Sequence, residues 1–251
     1  MATITWGEDI AGAYDATSAA MYEPDVLDPT VQLLAGLAGR GPALELAIGT
    51  GRVALPLRAR GIDVHGIELS APMIEQLRRK PGGDAVPVTL GDMASARAAG
   101  PFTLVYLVWN TIMNVTTQAE QTAVFRNAAA HLAPGGRFVV EVIVPQLRRL
   151  PAGEVARVFI SEPDHVGIET FDDPVGQIAW SHHWTSVDGR LVHHAAPYRY
   201  VWPSELDLMA ELAGLRLEER WADWHRRPFT AESQQQVVVF RLPAADDHTA
   251  R

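Results

Sequence analysis

The stretch Ala43-Leu-Glu-Leu-Ala-Ile-Gly-Thr-Gly51, followed at once by Val53-Ala-Leu-Pro-Leu-Arg-Ala-Arg60, decides the fold. A short apolar run, a glycine turn and a helix-like segment are the sequence form of a buried strand feeding a helix. Gly49 and Gly51 let the backbone approach a ligand closely, and the first N–H groups of the following helix have no partner within it. Glu45 adds a carboxylate near the end of the strand. The pyrophosphate of a dinucleotide gains nothing from an anion there, whereas a cationic amino acid moiety does.

Outward from that loop, elements alternate. Strands read at Ala43–Ile48, Asp63–Ile67, Ala85–Leu90, Phe102–Val108 and Arg137–Ile143, with helices near Val53–Arg60, Pro72–Arg79 and Gln118–Leu132. This alternation predicts βαβ units and a doubly wound, Rossmann-like α/β sheet. Ala133-Pro-Gly-Gly136 predicts a stop and turn after the long helix. The segment 1–42 reads as a polar lead-in with a helix around Thr30–Ala38, and 43–145 as the core.

In a doubly wound sheet, ligands bind beyond the carboxyl ends of the strands. Glu45 and the glycine loop follow the first strand, Glu68 closes the second, and Asp92 follows the third. An acid at Glu68's distance beyond the glycine loop suits the two hydroxyls of a ribose. One a strand further can accept from an exocyclic amine such as that of adenine. A single strand-end acid is usually a cap or turn residue; three at successive ends, behind a glycine loop, form a joint pattern. Gly49-x-Gly51-x-x-Ala54 with Glu68 also meets the nicotinamide dinucleotide fingerprint loosely, and that reading would make the chain an oxidoreductase. Glu45, Asp92 and the long lead-in argue against it.

On Glu45–Gly51, Ile67-Glu-Leu-Ser-Ala-Pro-Met73, Gly91-Asp-Met93 and Leu132-Ala-Pro-Gly-Gly136, the chain resembles the class I S-adenosylmethionine-dependent methyltransferases of small-molecule type. The resemblance implies a seven-stranded sheet whose last strand is antiparallel, with S-adenosylmethionine as cofactor and S-adenosylhomocysteine as product. It implies Glu45 near the methionine ammonium, a floor of Ala47, Gly49 and Gly51, and Glu68 on the ribose. Leu69 and Met73 would flank the adenine, Asp92 and Met93 would read its edge, and Val108 would complete the cofactor contacts. Ala47 stands where the family often has a further glycine. The implied reaction moves a methyl group to N or O, and less readily C, of a small acceptor. A catalytically silent partner protein that keeps the cofactor site is the alternative. Trp109, Asn110 and Asn114 follow the fourth strand, where the family places residues beside the reacting methyl. Tyr14 and Tyr22 lie in the lead-in, which commonly folds over the cofactor as a lid. Tyr14 and Asn110 are thus catalytic candidates, and Tyr22, Trp109 and Asn114 acceptor contacts.

After Pro145 the pattern changes. Ala156–Ile160, Val166–Phe171, Gln177–Val187 and Arg190–Trp202 read as antiparallel strands of an insertion spanning 146–202. In small-molecule methyltransferases such a sheet covers the acceptor or forms a dimer contact. Asp188-Gly189 is a two-residue hairpin turn. It pairs Val187 with Arg190, Thr185 with Val192 and His183 with His194, and Tyr198 and Tyr200 continue the face of His194. That face either walls a substrate cavity, with His194 as a base and His183, Tyr198 and Tyr200 as contacts, or is a solvated or dimeric surface. Two histidines without a nearby carboxylate make an incomplete metal set, so no metal is expected. A helix from Pro203, capped by Ser204 and ended at Gly214, and strands Leu215–Trp221 and Gln235–Leu242 complete the core over 203–243. The tail 244–251 reads as frayed.

Composition narrows the classes. The 251 residues carry a net charge of −9, against the basic surplus a nucleic-acid partner requires. Cysteine is absent, which excludes disulfides, thiolate metal sites and cysteine nucleophiles. A single lysine, Lys80, leaves almost no room for Schiff-base chemistry. With neither a spanning apolar stretch nor a signal peptide in view, a cytoplasmic enzyme is expected, with a homodimer possible and no membrane partner.

Overall fold

The computed structural model describes residues 7–244; the expected frayed tail beyond Ala244 lies outside the described residues. Seven strands form one sheet: β1 (Ala43–Leu46), β2 (Val64–Glu68), β3 (Val88–Leu90), β4 (Phe102–Leu107), β5 (Leu132–Ile143), β10 (Arg216–Trp221) and β11 (Gln235–Arg241), in the order β10-β11-β5-β4-β1-β2-β3. β1 pairs in parallel with β2 and β4, and β11 runs antiparallel to β5 and β10. The strand order therefore reverses between β1 and β4, and the clefts beyond their carboxyl ends are the natural ligand site.

Helices cover both faces, which is why the central strands are apolar almost throughout. On one face α2 (Pro24–Ala38) and α3 (Ala54–Ala59) pack Leu34 and Leu57 against Leu104, Tyr106 and Val139. On the other, α5 (Gln118–His131) and α6 (Pro203–Leu212) pack against Val105, Leu107 and Val140. Phe125 of α5 sits edge-on to Phe138 and Phe240 at 5.1 and 5.7 Å. Each such ring contributes about 1.5–3 kcal/mol through burial.

A second, four-stranded antiparallel sheet, β6 (Ala156–Ser161), β7 (His165–Asp173), β8 (Ile178–Val187) and β9 (Arg190–Arg199), forms a meander in chain order. The expected hairpin register is observed, with His183 opposite His194. One buried polar knot fixes this sheet to the core. The Arg199 guanidinium donates to Glu205 at 2.6 Å, Gln121 at 2.5 Å and Gln177 at 3.0 Å, and Gln118 and Gln177 also donate to Glu205.

Several expectations need correction. The lead-in contains a further helix, α1 (Glu8–Thr17), and α2 begins six residues before Thr30. α2 continues through Pro29, which lies inside it, and α1 has little apolar surface to announce it, with Ala11 as its buried residue. Ala133–Gly136 is no free turn: α5 runs directly into β5, and the irregularity appears as a register shift against Phe102/Leu104 with Gly135 at φ +80°. Ser204 is inside α6, whose N-cap is Trp202. The third strand is only Val88–Leu90, and β9 ends at Arg199.

Candidate active site

A cavity of about 680 Å³ lies between α1, the carboxyl ends of β1 and β4, and the inner face of the antiparallel sheet. Of the expected residues it brings together Tyr14, Ala47, Gly49, Glu68, Met73 and Trp109, and also Asn110, Asn114, His183 and Tyr198. Thus residues from the parallel core and from the inserted sheet face one space.

At the core end, chain geometry creates the site. Ala47 and Gly49 both adopt left-handed backbone, at φ 54° and 56°. That conformation is costly for a residue with a Cβ, which accounts for the frequent glycine at the Ala47 position. A Cβ on Gly49 would meet only the Ala47 carbonyl, at 4.0 Å, so this loop leaves an open cradle; one on Gly51 would overlap the Leu77 side chain. The Glu68 carboxylate accepts from the Gly49 and Ser70 N–H groups, each at 2.8 Å. Burial raises its pKa even though those donors oppose the shift. Glu45 is 3 % exposed and lies behind the lining, accepting from the Tyr106 hydroxyl at 2.9 Å. Desolvation pushes its carboxyl up to about 8, against the Tyr106 hydrogen bond and the Arg52 charge. The Tyr14 hydroxyl is raised too, mainly by burial, in a field that includes Arg52, Asp15, Glu68 and Glu45. Two buried carboxylates beside an open glycine cradle suit a ligand with a cationic group and paired hydroxyls, as in S-adenosylmethionine.

Other cofactor candidates stand outside this lining. Asp92 is exposed and caps its own turn, accepting from the Ala94 N–H at 2.7 Å. Leu69 is 48 % exposed, Val108 is buried, and Met93 packs against the core. Gly51 donates its N–H to the Ile48 carbonyl at 3.0 Å.

Tyr22 belongs to a different construction. Its hydroxyl donates to Asp15 at 2.5 Å, and Asp15 also accepts from Thr50 of the glycine loop at 2.6 Å and pairs with Lys80 at 2.5 Å. Burial alone would raise the Asp15 carboxyl, but hydrogen bonds from Lys80, Thr50 and Tyr22 hold it below its ordinary range. The expected acceptor contact is therefore a latch tying α1 to the glycine loop and to the end of α4 (Ala71–Arg79).

Beyond β4, Trp109 and Asn110 occupy consecutive left-handed positions at φ 57° and 60°. Such strain persists only where surroundings impose it. Here Glu141 accepts from the Trp109 N–H at 2.8 Å and from the Trp224 indole at 2.7 Å, and Asn110 Oδ1 accepts from the Ile143 N–H at 2.7 Å. The Trp109 ring lies beneath the Arg52 guanidinium, 5.4 Å away.

The antiparallel sheet contributes Arg157, Phe159, Glu169 and Ser181, which sequence reading missed. Glu169 is 6 % exposed, accepts from Arg157 Nε at 2.5 Å, and also accepts from the Tyr198 hydroxyl. Burial and the Glu169 charge raise the Tyr198 pKa far above its ordinary value. His183 is held between Ser181 Oγ and His165, each at 2.9 Å. Strand alternation from His183 would have found Ser181; nothing local marks Glu169 or Arg157. Two expectations fail here. His194 pairs with His183 but is exposed and outside the lining, on the edge strand of the sheet. Tyr200 is 3 % exposed and packs into the main core against Phe171, past the end of β9.

Comparison with known proteins identifies the family. Residues 43–136 match the family model described as a methyltransferase domain. The CcbJ methyltransferase of Streptomyces caelestis is 37 % identical, with a TM-score of 0.84 over 97 % of this chain and 100 % of that one. The cypemycin N-terminal methyltransferase of a Streptomyces species is 27 % identical over 90 % of this chain and 96 % of its own. The dTDP-4-amino-2,3,4,6-tetradeoxy-D-glucose N,N-dimethyltransferase of Saccharopolyspora spinosa is 37 % identical over 39 % of each chain. With its seven-stranded sheet, open glycine loop and full-length likeness to a solved methyltransferase, the chain belongs to the class I S-adenosylmethionine-dependent methyltransferases.

Proposed function

We propose that this enzyme transfers a methyl group to an amine nitrogen of a small-molecule acceptor, releasing S-adenosylhomocysteine. The observation that carries the reading is the single cavity shared by the glycine loop with Glu68 and the polar wall of Glu169, Tyr198 and His183. The amine follows from the N-methyl chemistry named in two relatives, one of them aligned over nearly the whole chain.

S-adenosylmethionine supplies an electrophilic methyl on a sulfonium, and the remaining work is positional. Glu45 and the glycine loop would hold the methionine end, and Glu68 would take the ribose hydroxyls. Met73 and Leu69 would flank the adenine, with Asp92 and Met93 at its edge and Val108 behind. Trp109, Asn110 and Asn114 hold the acceptor nitrogen in line with the methyl, and Tyr14 on α1 closes the space from above. Alignment of this kind supplies on the order of 7–11 kcal/mol. No metal enters this scheme. Neither nucleic acid nor a membrane has a role in this scheme. Among the described residues no helix is long and apolar enough to cross a bilayer.

Calorimetric titration with S-adenosylhomocysteine tests the cofactor assignment, with nicotinamide dinucleotide as control ligand. Micromolar binding of the first alone is expected. Incubation with labelled S-adenosylmethionine and a set of dTDP-amino sugars, aminodeoxy glycosides and short peptides then tests the acceptor. Binding without methylation of any amine would favour the silent partner protein, and methylation confined to hydroxyls would replace N by O.

A further inference from the structure

Building on the amine reading, we infer that Ser181, His183 and His165 form a proton exit that leads from the acceptor end of the cavity through the antiparallel sheet. Methylation of an amine leaves a proton on the product nitrogen, and an acceptor that arrives as an ammonium must lose one before it can attack. The acceptor end is walled by the antiparallel sheet, and a proton released against that wall needs a group to take it.

The geometry supplies a path. Ser181 and His183 line the cavity. Ser181 Oγ lies 2.9 Å from His183 Nε2, and His183 Nδ1 lies 2.9 Å from His165 Nε2. His165 is half-buried, outside the lining, at the start of β7. The three side chains share the inner face of the sheet, since Gly167 is the residue opposite His183. A Cβ at Gly167 would press on Phe159 and Ile160, and the Phe159 ring stands edge-on to His183 at 5.4 Å. The imidazole is thus held by packing as well as by hydrogen bonds.

The step balances. The acceptor nitrogen forms its bond to the methyl carbon while the carbon–sulfur bond breaks and leaves its electron pair on sulfur. The nitrogen then gives its proton to Ser181 Oγ as Ser181 passes its own to His183 Nε2. The Nδ1 proton of His183 moves to His165 Nε2, and His165 releases one to solvent. This direction requires a neutral His183 at rest. Burial lowers its pKa, with His165, His194 and His182 acting in the same sense. Those three histidines are the titratable neighbours on β7, β9 and its own strand, with Arg157, Glu169 and Tyr198 further along the cavity wall.

His165→Gln separates relay from scaffold. Glutamine keeps an acceptor for His183 but cannot take up and release a proton. With a dTDP-amino sugar as acceptor, kcat is expected to fall about 100-fold, within the range of a lost proton-transfer group, while KM for both substrates holds. The acid limb of the pH profile should move upward, because a like charge beside His183 is gone. Ser181→Ala should lower kcat similarly, with S-adenosylhomocysteine affinity retained as the sign of a folded protein. Nitrogen-15 histidine spectra of the unliganded protein give a readout that needs no acceptor. His183 is expected as the Nδ1–H tautomer, its ring signals changing in His165→Gln. A wild-type rate and pH profile in His165→Gln would overturn the relay, as would His183 ring signals unmoved by that substitution. A wild-type enzyme that methylates no amine overturns the acceptor reading instead, and the spectra then decide the relay alone.

Discussion

The core end of the cavity and the joint that anchors the antiparallel sheet are built on opposite electrostatic terms. At the core end, Glu45 and Glu68 are buried and Glu141 half-buried, and the pKa values of all three rise because desolvation outweighs the donors around them. Where the antiparallel sheet is anchored, the balance is reversed. Burial acts upward on Glu205, yet hydrogen bonds from Gln177, Arg199 and Gln118 hold its carboxyl below the usual range. Acids at the core end are left under-compensated, whereas the structural joint is compensated from within the chain. The molecule therefore has one half prepared for charge and one half already satisfied.

The strongest way to break this contrast is Arg199→Met. It strands Glu205, and loss of one partner of a buried pair costs about 3–5 kcal/mol. Thermal or urea unfolding should show that loss, while S-adenosylhomocysteine still binds in the cold. The joint also has a pH signature. A depressed carboxyl stabilises above its unfolded pKa of about 4.3 and loses that contribution as pH falls through its lower folded value. Wild-type protein should lose stability below pH ~4 more steeply than Arg199→Met, as acid unfolding curves would record.

Glu68→Ala tests the other half. Removing an acceptor of charge-assisted hydrogen bonds costs about 1.5–3 kcal/mol. Affinity for S-adenosylhomocysteine should fall by one to two orders of magnitude in calorimetry, with the antiparallel sheet unaffected. Smaller is the protonation effect at Glu45. Its pKa of about 8 means that it is mostly protonated at neutral pH and charges as pH rises. For a raised carboxyl the stabilising contribution is complete below the unfolded value and is lost as pH climbs through the folded one. A bound ammonium reverses this by drawing the proton off. Binding at pH 7 should thus release close to one proton, seen as a dependence of binding heat on buffer ionisation enthalpy, and at pH 9 almost none. Smallest is Ala47→Gly: relief at φ 54° is offset by added chain entropy, leaving a change within about 1 kcal/mol by thermal unfolding.

The same division governs what the sequence made legible. Core-end residues follow one another along the chain, so Gly49, Glu68 and Met73 could be found from a strand, a turn and a helix start. The hairpin register was legible because a two-residue turn fixes which side chains share a face. Glu169 was not, since its partners Arg157 and Tyr198 lie 12 and 29 residues away on other strands. Tyr22 was misread for a related reason: its partners Asp15, Thr50 and Lys80 converge from three segments. His194 and Tyr200 had the right alternation, but alternation says nothing about how far the cavity extends across or along the sheet.

Lys80, the chain's single lysine, is held in the latch on Asp15, with its side chain 22 % exposed. Apart from the N-terminus, the molecule therefore carries one primary amine, and that amine is engaged whenever α1 is docked. An acylating reagent becomes a footprint of the closed state: slow labelling at this one position means α1 is docked, and fast labelling counts the fraction of time it has lifted.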